Sequence, residues 1–382
     1  MALKTAARGA IPPFIVMDVM RAANERQAAG EDVLHLEVGQ PSTPAPRGVI
    51  EAARSALGTD RIGYTEALGI PELRRAIARH YRDWYGIDVG WQRVVAATGS
   101  SGAFTLAFLA AFEAGDRVAV ASPGYPAYRN ILKALGIRVV EIAVDARTNF
   151  QPTPEMLDEA RDGLDGLVLA SPANPTGTMV DGGRLKGLAD FCADRGIRLI
   201  SDEIYHGITY GNAAETALSF SAEAVVVNSF SKYFSMTGWR LGWMVAPESL
   251  LRSLECLAQN LFISPPTLSQ VAGVAAFGCH EELRANVRRY AANRALLLEE
   301  LPKAGLDRLA SAEGAFYLWA DVSRLTNDSQ DFCRRMLAET GVAATPGADF
   351  DPERGARYVR FSFAGSTEDM AEAARRLRRW LR

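Results

Sequence analysis

Ser229-Phe230-Ser231-Lys232-Tyr233-Phe234-Ser235-Met236-Thr237-Gly238-Trp239-Arg240-Leu241-Gly242 follows the short apolar run 224–227 after one residue, Asn228. A lysine is ordinarily a surface residue, because its ammonium is costly to remove from water. Lys232 instead sits just after a strand of the buried type, among Phe230, Tyr233, Phe234 and Trp239. Partial desolvation lowers an amine's pKa and makes the neutral, nucleophilic form accessible near pH 7, which is what a Schiff-base lysine requires. Two hydroxyls, Ser229 and Ser231, and the guanidinium of Arg240 bracket it. Arginine matches phosphate oxygens with a planar fork, and hydroxyls donate to the remaining ones. The chain has four other lysines (Lys4, Lys133, Lys186 and Lys303), all near termini or in ordinary amphipathic helices or turns.

Outward from this segment, short apolar runs alternate with helical stretches. Residues 94–97 precede Gly99-Ser100-Ser101-Gly102 and a helix expected from Ala103. Residues 116–121 lead into Pro123-Gly124-Tyr125-Pro126, and 166–170 into Ser171-Pro172-Ala173-Asn174-Pro175. A helix carrying Leu185, Leu188, Ala189 and Cys192 on one side stops at Gly196, and the run 197–201 leads to Asp202. Strands separated by helix-length segments predict βαβ units and a mostly parallel sheet covered by helices. Such sheets bind ligands beyond the carboxyl ends of their strands. The residues there are Ser100, Ser101, Gly102, Tyr125, Asn174, Asp202 and Ser229 to Lys232. The amides of Ser100, Ser101 and Gly102, at a helix start, suit a phosphate.

The remainder divides the chain. Pro71 opens a helix over 71–85 with Leu73, Ile77, Tyr81 and Trp84 on one face. After about residue 280, helices at 281–301 and 328–340, strands at 314–320 and 357–363, and a final helix suggest a smaller α+β unit. The expected organisation is a large α/β domain over 48–278 and a small α+β domain formed by 1–47 plus 279–382. The basic run Arg375-Arg376-Leu377-Arg378-Arg379 reads as the solvated face of an amphipathic helix whose inner face carries Leu377, Trp380 and Leu381.

Composition excludes other classes. With 42 basic and 45 acidic residues, the chain offers no basic excess for a nucleic acid. The 4 cysteines and 4 histidines are scattered, with no C-x-x-C or H-E-x-x-H, so neither a disulfide framework nor a metal site is expected. The longest apolar run, 103–112, is far below the ~20 residues that span a bilayer. The N-terminus, broken by Pro12 and Pro13 and followed by Asp18, does not read as a signal peptide. A cytoplasmic protein with no membrane attachment is expected. G-x-G-x-x-G and P-loop patterns are absent, which leaves nicotinamide and nucleoside triphosphate chemistry unsupported.

The lysine segment resembles that of class I/II aminotransferases, the fold-type I enzymes that use pyridoxal 5'-phosphate (PLP). Further motifs stand in family order along nearly the whole chain: Gly39-Gln40-Pro41, Gly63-Tyr64-Thr65, Thr98-Gly99-Ser100-Ser101-Gly102, Pro123-Gly124-Tyr125-Pro126, Asn174-Pro175-Thr176-Gly177, Asp202-Glu203-Ile204-Tyr205, Glu313-Gly314-Ala315-Phe316, Pro346-Gly347 and Val359-Arg360-Phe361-Ser362. The resemblance implies a three-layer PLP-dependent transferase fold and a Schiff base on Lys232. It implies Asp202 against the pyridine nitrogen, Asn174 and Tyr205 toward the phenolic oxygen, and Tyr125 stacked on the ring. Ser100, Ser101, Gly102, Ser229, Ser231 and Arg240 would hold the phosphate. Arg360, with Gly39 and Asn174, would hold the substrate carboxylate. Tyr64, with Ser264 on the same side, would reach the phosphate of a partner subunit in a homodimer with shared sites.

The implied reaction moves an amino group from an L-amino acid to a 2-oxo acid with ping-pong kinetics, Lys232 acting as the base once released. Some aspartate aminotransferases carry a lysine where this chain has the uncharged Ser101, which argues against a dedicated aspartate enzyme of that kind, although another arginine, including one from a partner subunit, could substitute; neutral and aromatic amino acids are open as substrates. A PLP-dependent C–S β-lyase would share the same cofactor residues and is the alternative. A non-catalytic PLP-binding regulator is disfavoured by the intact Lys232, Asp202 and Arg360 set, and by the short stretch before Gly39.

Overall fold

The structure, a computed structural model, describes residues 3–59, 62–160 and 163–382. The strands are β1 (Leu34–His35), β2 (Val94–Ala97), β3 (Arg117–Ser122), β4 (Arg138–Ala143), β5 (Gly166–Ala170) and β6 (Arg198–Asp202). They continue with β7 (Val225–Ser229), β8 (Gly242–Val245), β9 (Tyr317–Asp321), β10 (Val342–Ala343), β11 (Thr345–Pro346) and β12 (Tyr358–Ser362). The helices are α1 (Ile15–Ala28), α2 (Arg47–Thr59), α3 (Pro71–Tyr85), α4 (Gly99–Ala111), α5 (Pro126–Ala134) and α6 (Pro154–Asp158). After them come α7 (Gly182–Asp194), α8 (Glu248–Leu261), α9 (Thr267–Ala276), α10 (His280–Lys303), α11 (Ser329–Thr340) and α12 (Thr367–Trp380).

The centre is a seven-stranded sheet in the order β2-β8-β7-β6-β5-β3-β4. Only β8 runs antiparallel to its neighbours β2 and β7; the pairings of β3 to β7 are parallel. Side chains alternate across it, as the two-residue period of a strand demands. Val94, Ala96, Leu167, Leu169, Val226, Trp243 and Val245 face a core shared with α3, α7 and α9. Val95, Ala97, Val118, Val168, Val225, Val227 and Met244 face a second core with Phe104 and Phe108 of α4, Leu132 of α5 and Leu254 of α8. Both faces are covered, which is why these strands read as unbroken apolar runs. The result is the three-layer α/β architecture of PLP-dependent transferases. A second, three-stranded sheet, β11-β12-β9, lies in the C-terminal part, and β1 pairs in parallel with β10. None of the helices of the described residues is long and apolar enough to cross a membrane.

Two expectations shift. The helix expected from Ala103 begins at Gly99, so Ser100, Ser101 and Gly102 form its first turn rather than a loop before it. Small polar residues read as a loop locally, but a first turn has unpaired N–H groups that tolerate them. The strand expected at 314–320 begins only at Tyr317. Upstream, Gly314 N donates to Gly177 O and Ala315 N to Ile208 O, so this backbone is committed to loops of the large sheet. The strand β8 was not anticipated at all.

Gly242 opens β8 against the start of α4. A Cβ there would meet Gly99 C at 2.8 Å, Ser100 N at 2.9 Å and Asn228 O at 3.0 Å, all of them backbone. None can rotate away, so Gly242→Ala must part the strand from the helix start. A loss of about 1–3 kcal/mol is expected from such overpacking, read as a lower thermal midpoint of the purified variant. An unchanged midpoint would show that the junction has slack.

Candidate active site

The carboxyl ends of β2, β3, β5, β6 and β7 meet at one rim, where a cavity of about 280 Å³ opens. Its lining includes Gly39, Ser100, Ser101, Tyr125, Asn174, Asp202, Tyr205, Ser231, Lys232, Arg240 and Arg360. Segments remote in sequence thus bring most of the expected residues together. Gly102, Ser229 and Tyr64 do not line it. Gly102 is buried and packs against the Thr98 hydroxyl. The Ser229 hydroxyl sits one layer behind, donating to Ser231 Oγ at 2.9 Å. Tyr64 is 84% exposed. Ser264 also lies outside the lining; its Oγ accepts from Thr65 N at 3.4 Å.

Lys232 follows β7, and its Nζ donates to the Gly39 carbonyl at 2.6 Å. Burial, reinforced by the nearby charges of Arg360 and Arg240, pushes its pKa down to about 8. The neutral amine is therefore within reach at physiological pH. Asp202, the last residue of β6, is buried, and burial pushes its carboxyl up to about 6 against the pull of Tyr128, the Ile204 amide and Lys232. Its Oδ1 accepts from Ile204 N at 3.0 Å and its Oδ2 from the Tyr128 hydroxyl.

Arg360, on β12, is buried, and among the described residues no carboxylate is a hydrogen-bond partner of it. It donates to Asn174 Oδ1 at 2.9 Å, to Thr345 Oγ1 at 3.2 Å and to the Glu37 carbonyl. Its guanidinium carbon lies 4.4 Å from the centre of the Tyr317 ring and 4.7 Å from that of Phe350. Its Nε has no partner among the described residues. A charge held this way by neutral groups and ring faces keeps capacity for an incoming anion. Tyr205 and Tyr317 share a hydroxyl–hydroxyl bond of 2.6 Å.

Ser100 and Ser101, also in the lining, occupy the first turn of α4. Gly99 there has φ +75°, and a Cβ would fall 2.4 Å from Arg240 Nη2. The guanidinium thus lies against the helix start. Exposed amides, the helix dipole and this cation together form an anion cradle. Tyr125 caps α5, and its ring packs edge-on to Tyr128 at 5.3 Å between centroids.

Sequence reasoning missed three contributions. Tyr128, in the first turn of α5, stands three residues after Tyr125, the N-cap of that helix, and the two rings meet; this short spacing was the available signal. Tyr317 lies beside the motif Glu313 to Phe316. The apolar wall of Phe14, Val16, Met17 and Met20, from α1 and the residue before it, had no local signal.

Comparison with known proteins bears on this geometry. The family model "Aminotransferase class I and II" matches residues 31–377. A Mycobacterium tuberculosis protein named valine–pyruvate aminotransferase is 54% identical over 382 residues, covering 99% of this chain and 98% of that one. The crystal structure of an aminotransferase from Mycobacterium tuberculosis superposes with a TM-score of 0.98 at 54% identity, over 100% of this chain and 99% of the other. An aspartate aminotransferase of Pyrococcus horikoshii is 32% identical over 363 residues, covering 94% of this chain and 93% of its own.

Behind Asp202 lies a second buried acid. Glu203 Oε1 accepts from Ala217 N at 2.8 Å and from the hydroxyls of Ser201 and Thr216, each at 3.1 Å. Its Oε2 has no hydrogen-bond partner among the described residues. The His206 Nδ1 lies 3.5 Å from this oxygen but accepts from the Tyr85 hydroxyl at 2.7 Å, because Nε2 faces the Ser171 carbonyl at 3.0 Å and must carry the proton. Burial pushes His206 down to about 4 and Glu203 up to about 8, so the pair is neutral rather than ionic. A carboxyl raised from 4.5 to about 8 on folding contributes stability that is complete below pH 4.5 and lost as pH rises through 8. Glu203→Gln removes this loss. The stability of the native protein relative to the variant should therefore decline steadily between pH 5 and pH 8 (a range set by those two values), measured by chemical denaturation. Parallel profiles would mean that Glu203 is ionised in the folded state.

Proposed function

Because the chain belongs to the class I and II aminotransferases and is an enzyme that transfers amino groups, we propose that it uses PLP to move the amino group of a neutral, apolar L-amino acid to a small 2-oxo acid. The observation that carries this reading is one cavity holding the Lys232 amine, the Asp202 carboxylate and the Arg360 guanidinium, closed by the apolar wall of Phe14, Val16, Met17 and Met20.

The donor set fits the cofactor. The α4 amides of Ser100 and Ser101, with Ser231 and Arg240, would take its phosphate; Gly102, behind them in the same turn, and Ser229, whose hydroxyl donates to Ser231 Oγ, would support that cradle from outside the cavity lining. Asp202 would face its ring nitrogen, Asn174 and Tyr205 its phenolic oxygen, and Tyr125 its ring face. When bound, PLP supplies an aldehyde that condenses with amines and a ring that draws electrons from the substrate α-carbon. Lys232 would be the amine that holds that aldehyde. As a free amine, pushed down to about 8 by burial, Lys232 would take up the proton that leaves the α-carbon. Asp202, desolvated and fixed by Tyr128 and the Ile204 amide, keeps its charge when a cation faces it. Arg360 grips the substrate α-carboxylate, with Gly39 and Asn174 beside it, and orients the α-hydrogen. The amino group leaves with one substrate and returns to the next, which gives ping-pong kinetics.

Three cations line the cavity: Lys232, Arg240 and Arg360. The roles above use all three, so no cation of this chain's described lining is left for a distal carboxylate. The name of the 54% identical relative, valine–pyruvate aminotransferase, supports the same choice of donor and acceptor. The exposed ring of Tyr64 supports a homodimer in which this side chain serves the partner's phosphate, with Ser264 alongside. The cytoplasm is the proposed location.

The PLP-loaded enzyme should convert valine and pyruvate to 2-oxoisovalerate and alanine, with parallel double-reciprocal lines as pyruvate is varied. Lys232→Ala should lower kcat by at least about a hundredfold. Preference for aspartate or glutamate over valine would overturn the substrate class. Release of pyruvate and ammonia from a cysteine conjugate without any oxo acid would favour the lyase chemistry instead.

A further inference from the structure

The apolar wall comes from a helix that lacks a local cap. Phe14, at the N-cap of α1, makes no side-chain cap bond. The first N–H groups of a helix need partners, and here they come from far along the chain. Ile15 N donates to Asp349 Oδ1 at 3.0 Å and Val16 N to Asp349 Oδ2 at 3.1 Å. Both carboxylate oxygens are used, at the positive end of the helix dipole.

Asp349 is itself held rigidly. It is 3% exposed and closes the short turn Gly347–Asp349 that follows β11. Arg129 of α5 donates to the Asp349 carbonyl and, at 3.1 Å, to the Phe350 carbonyl. The Phe350 ring is one of the two faces on which Arg360 rests. One turn therefore joins the start of α1, a helix of the large sheet and the arginine proposed to grip the substrate. The N-terminal segment has another contact with the site, the Phe14 ring 5.8 Å from that of Tyr125.

We propose that Asp349 is a positioning residue for substrate choice: its two-oxygen grip on the first turn of α1 holds Phe14, Val16, Met17 and Met20 over the cavity, so that the substrate side chain meets an apolar wall. This rests on the neutral-substrate reading above. The grip matters most for a donor whose side chain reaches the wall, as valine does, and least for alanine.

The test uses the PLP-loaded enzyme, with valine and alanine as donors, and hydrogen–deuterium exchange over residues 10–28. Asp349→Asn keeps the volume but leaves only one acceptor for two N–H groups. Its kcat/KM for valine should fall about five- to tenfold, chiefly through KM, as expected for loss of a cap. For alanine the change should stay within about twofold, and exchange at the start of α1 should quicken. Equal losses for both donors, or unchanged exchange, would overturn the proposal. Should Asp349→Asn fail to fold, Ile15→Pro deletes one donor from outside the buried turn at a position that accepts proline, and should shift selectivity the same way; unchanged selectivity would count against it. If the native enzyme itself prefers a dicarboxylic donor, the substrate reading fails, while the exchange measurement still judges the grip.

Discussion

An ammonium group withdrawn from water, with two guanidinium groups nearby and a carbonyl as its hydrogen-bond acceptor, is the constraint on which this site depends. Lys232 is placed there by β7, and its desolvation lowers the cost of giving up a proton. An isolated charge so placed is expensive. The enclosure carries this cost because the same groups serve a purpose: Arg240 closes an anion cradle, Arg360 faces the open cavity, and Asp202 supplies the compensating negative charge.

The large sheet makes this arrangement possible. Parallel strands deliver their following residues to one rim, so side chains as far apart in sequence as Ser100 and Lys232 meet without long loops. The reversed strand β8 completes the site from the other side. Arg240, just ahead of it, lies against the start of α4, and Gly242 lets the two backbones touch. The C-terminal sheet adds Arg360 on β12, and α1 adds the apolar wall. Charge is thus supplied by the sheets and shape by the N-terminal helix.

The parts legible in sequence are those encoded by short-range patterns. The strands before Tyr125, Asn174, Asp202 and Lys232 announce themselves as apolar runs, and α3 by its one-sided stripe opened by Pro71. Leu377 of α12 is buried while Arg375, Arg378 and Arg379 are exposed, as the amphipathic spacing implied; Arg376 is half-buried against Glu372 and Asp32. What was not legible depends on long-range contacts. Tyr128 becomes part of the site because its hydroxyl reaches Asp202, and Asp349 because it caps a helix that precedes it by more than three hundred residues. The start of α4 was legible as a phosphate-suited helix start, but its boundary lies at Gly99 rather than Ala103, because serines and glycines favour loops locally while in the fold they form the first turn. β8 is four residues long and opens with glycine, too little for a periodic signal.

The most direct measurement is to treat the purified enzyme, incubated with PLP, with borohydride and to map the resulting adduct by peptide mass spectrometry. A pyridoxyl group on the peptide that contains Lys232, and on no other lysine, is the expected result. Labelling spread over Lys4, Lys133, Lys186 and Lys303, or no adduct at all, would contradict the role given to that buried amine.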